Sequence, residues 1–153
     1  MDTSRGSRWN RWDLHVHSPS SFHENFNLDR SLGAEEEYED AVWERYLDEL
    51  EDIDDISCIG ITDYFSVEGY EQVQKAIEQD GRLQNFDLVL PNVELRVDHF
   101  VTSRSGGHSS EAVEMHVLFS DELDPVRIRE NFINQLEAKK TRWEYNASHS
   151  GKS

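Results

Sequence analysis

The sequence predicts an α/β fold, and three observations carry that prediction. Apolar runs of strand length alternate with longer stretches of helical periodicity, in the order strand, helix, strand, helix, strand, strand, helix. Histidines and carboxylates recur where the apolar runs end: His15 and His17, then Asp63, Glu94 and His116. The chain has 153 residues with 36% hydrophobic and 10% aromatic side chains, enough for one modest domain with a core of its own.

Alternation defines the first strand, Trp12 to Ser18. Trp12, Leu14 and Val16 point one way and Asp13, His15 and His17 the other, so one face is apolar and the other chemically loaded. Pro19-Ser20-Ser21 ends the strand, and His23 to Gly33 reads as a loop. Residues 34 to 56 read as a helix, because Tyr38, Val42, Tyr46, Leu50 and Ile53 recur at helical spacing and Trp43 and Leu47 widen the stripe. Ile56 to Thr62 is a continuous apolar run, as in a strand buried on both faces. A second helix follows from about Glu68 to Gln79 and is stopped by Gly81. Asp87 to Val97 holds a strand pair or one bent strand, since Pro91 argues against a regular central ladder. His99 to Thr102 is a candidate extension of it, Ser103 to Ser110 a polar loop, and Val113 to Phe119 another strand. Asp124 caps a last helix with Pro125 in its first turn and Ile128, Phe132, Ile133 and Leu136 as its buried stripe. The expected organisation is a flexible N-terminus over residues 1–8, one domain over 9–138 and an irregular tail over 139–153.

Charge narrows the function. The formal net charge is −17, and residues 34–55 hold twelve acids against one base, Arg45. Nonspecific nucleic-acid binding through a basic surface is therefore not expected. The acid run reads as a solvated helix face, with a docking surface for a basic partner as the alternative. No segment has the length and apolarity of a signal peptide or a membrane span, and the single cysteine, Cys58, lies in an apolar run, so a reduced, cytoplasmic setting is expected.

The clustered residues point to metal chemistry. In a parallel α/β fold the carboxyl ends of the strands gather at one rim, where ligands bind. Imidazoles and carboxylates collected there suit divalent metals. A lone His-x-His is a weak signal; its specificity comes from the ordered recurrence of Asp63, Glu94 and His116 after it.

That ordered set resembles the PHP (polymerase and histidinol phosphatase) superfamily. Asp13-Leu-His-Val-His-Ser18 is similar to its opening motif, with His23 fitting the extra histidine that often follows. Ile59-Gly-Ile-Thr-Asp-Tyr64 is similar to the second motif, Pro91-Asn-Val-Glu-Leu95 to the third, and Met115-His-Val-Leu-Phe119 to the next. The likeness covers roughly residues 9 to 137 and is greatest to the PHP region joined to AAA-like or SMC-like ATPases in TrlF-type proteins. It implies an incomplete, distorted β/α barrel holding the first four or five strand elements of seven. It also implies two or three ions of Zn, Mn or Fe held by His15, His17, His23, Asp63, Glu94 and His116, and hydrolysis of a phosphate ester. His15, His17, Asp63, Glu94 and His116 are the residues expected to carry catalysis, and an ATPase domain or subunit is the expected partner.

Two features depart from that pattern. Tyr64 stands where the second motif usually has histidine, and tyrosine, with an ordinary pKa of about 10, is a poor ligand for zinc or manganese. No Asp-x-His follows His116, and His149 is the only later histidine. An incomplete barrel exposes an edge strand and apolar helix faces, so a homodimer, a partner chain or low solubility is expected. A non-enzymatic recognition or regulatory module is the alternative function. An amidohydrolase-type enzyme, which also begins with His-x-His, is disfavoured because Lys75, within a helix, is no candidate metal-bridging lysine. Arg96 is either a phosphate contact near the rim or an exposed strand residue.

Overall fold

The computed structural model describes residues 9–21, 35–102 and 108–136, with side chains described outside 35–37, 97–102 and 108–112. Residues 1–8, His23 and the tail over 139–153 lie outside the described residues. The elements are β1 (Trp12–His17), α1 (Glu35–Glu51), β2 (Cys58–Tyr64), α2 (Glu68–Asp80), β3 (Leu88–Thr102), β4 (His108–Leu118) and α3 (Pro125–Ile128). The architecture is α/β: a curled four-stranded sheet in the order β1-β2-β3-β4, with the first three strands parallel and β4 antiparallel to β3.

The strand pattern sorts the two faces. Ile59 and Ile61 of β2 lie on the face covered by α1 and α2, packed among Tyr46, Leu47, Leu50, Tyr70, Val73 and Ala76. Val16 packs against the same cluster from β1. Val93 and Leu95 of β3 continue that face under Val67, Ile128 and Ile133. All of β2 from Cys58 to Asp63 is buried, as its unbroken apolar run predicts. Trp12 departs from the expected anchoring role: it begins an edge strand and is 58% exposed.

Helix ends follow local chemistry. The Asp124 carboxylate accepts the Val126 amide at 2.9 Å and caps α3, with Pro125 in the first turn. After Ile128 the winding widens into a π turn over Arg129–Ile133. That wide turn brings Ile133 round beneath Ile128, so both bury although they lie five residues apart. Gly81 ends α2 in the left-handed conformation, φ 66°, and the Gly81 and Arg82 amides both donate to the Ala76 carbonyl.

Two expectations need correction. Pro91 does sit in a central strand, paired with Ile61. Its carbonyl accepts the Phe119 amide just beyond the end of β4, so its nitrogen also faces that side, and the N–H it lacks removes one bond at the end of the ladder rather than within it. β4 already begins at His108, within the stretch predicted as a polar loop.

Part of the acid run of α1 is paired within the chain, at its surface. Arg82, next to the stop of α2, reaches Glu44 at 2.8 Å, Asp48 at 2.6 Å and Glu51 at 2.9 Å, while Glu51 also accepts the Leu83 amide. The Arg82 bond and then the Leu83 amide hold the Glu51 carboxyl below its ordinary 4.5. A depressed pKa contributes stability above 4.5 that is lost as pH falls toward the folded-state value. Urea midpoints measured against pH are expected to fall on acidification below about 4.5, and Arg82→Ala is expected to flatten that fall.

Candidate metal centre

β1 is not a regular strand, and that irregularity builds the centre. Its register against β2 shifts between Asp13 and Val16. The Leu14 backbone lies directly over Gly60, where an added Cβ would sit 2.6 Å from the Leu14 oxygen. Across β2, the Asn92 amide donates to that same oxygen at 2.7 Å. Asp13 accepts the His15 amide at 3.1 Å and holds the other side of the irregular segment. His15 and His17 consequently converge, with their Nε2 atoms 3.0 Å apart.

Strand pairing brings in the carboxylate and a third imidazole. Glu94 pairs with Tyr64 on one side and His116 on the other, so all three project from one face. The His116 ring lies 4.3 Å from that of His15, although their strands are the two edges of the sheet. A flat sheet would hold those backbones about 14 Å apart, so the meeting of the rings records the curl. Asn92 ties the group together, reaching Thr62 Oγ1 at 2.9 Å and His116 Nδ1 at 3.1 Å.

Glu94 is fully buried; neither of its oxygens meets a donor at full hydrogen-bond geometry among the described residues, and the Tyr64 hydroxyl is a near donor that bears on its carboxylate. Its Oε2 faces His15 Nε2 at 3.3 Å and His17 Nε2 at 3.4 Å. A buried carboxylate left in that state is costly unless a cation completes it. The three atoms form a triangle with edges of 3.0, 3.3 and 3.4 Å, whose centre is about 1.9 Å from each corner. Tetrahedral zinc bonds of about 2.0–2.1 Å place ligand atoms about 3.3 Å apart. His15, His17 and Glu94 therefore fit a divalent ion, and they are the group of donors the described residues bring together.

The other predicted residues stand as follows. His116 borders the group through His15 but is not one of its three donors. Asp63 is not brought to it: it projects from the opposite face and binds Ser18 Oγ at 2.5 Å and the Gly69 amide at 2.7 Å. Tyr64 stacks on His17 with centroids 5.4 Å apart, and burial, then the Glu94 carboxylate, push its phenol up to about 12. It is a neutral wall of the site. Sequence reasoning missed Gly60, Thr62, Asn92 and Ser21. Asn92 was within reach, because it lies two residues before Glu94 and so shares its face. No protein-family profile, curated protein or solved structure matches this chain.

Two substitutions check this geometry. Gly60→Ala is expected to destabilise the protein by about 1–3 kcal/mol in chemical denaturation, because the added methyl meets backbone that cannot rotate away. Glu94→Gln is expected to raise the melting temperature of metal-free protein by removing the unsatisfied carboxylate. It is also expected to abolish any stabilisation by added zinc, which at a hundred times its dissociation constant would amount to about 2.7 kcal/mol in the unsubstituted protein.

Proposed function

We propose that this chain is a metal-dependent phosphoesterase. The observation that carries the reading is the buried Glu94 carboxylate set against two imidazole nitrogens at the spacing of a tetrahedral metal. The resemblance of the four motifs to the PHP superfamily supports it and points to Zn, Mn or Fe. His15, His17 and Glu94 would hold the first ion, and a bound metal supplies an activated water and neutralises phosphoryl oxygens. His116, beside His15, is positioned to hold a second ion or to meet the substrate. Arg96 is exposed two residues beyond Glu94 on the same face, where an anionic oxygen can reach it. Local positive charge from the ion is what lets an acidic protein accept a phosphate ester. An AAA-like or SMC-like ATPase is the proposed partner.

The test is metal content together with hydrolysis of a generic phosphomonoester and phosphodiester in Mn²⁺, Zn²⁺ or Fe²⁺. Activity is expected with at least one ion and is expected to drop to background in the His15→Ala/His17→Ala double variant. A protein that binds none of these ions and stays inert with each would refute the proposal. The absence of Asp63 from the donor group favours a second reading, a metal-holding recognition module; ion binding without turnover on any ester would select it.

A further inference from the structure

Asp63 and Ser18 are buried side by side, 1% and 0% exposed, on the face of the sheet away from the metal centre. Ser18 Oγ donates to Asp63 Oδ1 at 2.5 Å, and Oδ2 accepts the Gly69 amide in the first turn of α2 at 2.7 Å. Position 69 is kept bare for this pair, since a Cβ there would collide with the Ser18 side chain and lie 2.5 Å from Asp63 Oδ2. Burial pushes the Asp63 carboxyl above its ordinary 3.8, with the Ser18 and Gly69 bonds opposing it.

The pair organises the turn after β1. Ser18 Oγ accepts the Ser20 amide at 3.1 Å, and the Ser18 carbonyl accepts the Ser21 amide at 3.0 Å. The closed turn sets Ser21 Oγ, itself 5% exposed, 3.1 Å from His17 Nδ1. The opposite nitrogen, Nε2, is the one facing His15 and Glu94. A neutral imidazole carries its proton on one nitrogen only, and that nitrogen cannot bind a metal.

The geometry points to Asp63 as a positioning residue. Through Ser18 and the turn it holds Ser21 Oγ as the acceptor for a His17 Nδ1–H, which leaves the Nε2 lone pair aimed into the centre. The consequence for metal affinity rests on the function proposed above; the choice of tautomer does not. Outer partners of this kind orient a ligating ring and are typically worth about 10–100-fold in metal affinity.

Long-range ¹H–¹⁵N spectra of the metal-free, histidine-labelled protein decide it, recorded where the rings are neutral and with His17→Gln assigning the signal. His17 is expected as the Nδ1–H tautomer, retained in Ser21→Thr and lost or mixed in Ser21→Ala. Ser18→Ala, which deletes one oxygen and cuts the link to Asp63, is expected to do the same. Zinc affinity in the two alanine variants is expected to fall by about 10–100-fold. An Nε2–H tautomer in the unsubstituted protein would overturn the inference without any variant. So would an unchanged His17 in folded Ser18→Ala. If His17 is Nδ1–H but the unsubstituted protein takes up no zinc, manganese or iron, the metal reading fails and the positioning role stands.

Discussion

The passage of the Leu14 backbone across Gly60 is the constraint on which the centre depends. A strand can pass that close only over a residue with no side chain, and the register shift in β1 is accommodated there. The Leu14 carbonyl, turned from the regular ladder, is recovered by the Asn92 amide from two strands away. That bond ties β1 to β3 over the top of β2 and fixes where His15 and His17 point. The loaded face is thus shaped by backbone, with Thr62 and Asn92 filling the space beneath the histidines.

Two buried carboxylates, on opposite faces of one sheet, show different solutions to the same cost. Asp63 receives a hydroxyl and a backbone amide, and its desolvation is offset locally. Glu94 has no donor at full hydrogen-bond geometry among the described residues, with the Tyr64 hydroxyl near it, and faces two imidazole nitrogens. A carboxylate in that position is a cost to folding that a bound cation would remove. The satisfied carboxylate braces the turn beside the centre.

The acidic character of the chain also divides into two parts. Glu44, Asp48 and Glu51 converge on Arg82 and join α1 to the end of α2, so that portion of the acid run is paired within the chain at its surface. The sheet edges carry four of the exposed large apolar side chains among the described residues. Val113, Met115 and Leu118 lie on β4, and Trp12 lies on β1. An open curled sheet leaves such edges because neither outer strand has a neighbour among the described residues.

The alternation of β1 is broken by its register shift, which puts Asp13 and Val16 on one face. The unbroken run of β2, the stop at Gly81 and the cap at Asp124 are local chemistry, and the sequence alone placed them. It also singled out His15, His17, Glu94 and His116, because acids and imidazoles at the ends of apolar runs are conspicuous. Asp63 was conspicuous in the same way, yet adjacent strand residues face opposite sides, so proximity in sequence to Thr62 and Tyr64 could not place it with them. Pro91 was misread because its cost depends on where β4 ends, a fact of pairing between distant segments. The sequence by itself determined which residue types were present and, where a strand runs regularly, which face each occupies. Only the tertiary structure decided which of them meet, because the curl of the sheet, the register of β3 on β4 and the crossing at Gly60 are set by contacts between segments far apart in the chain.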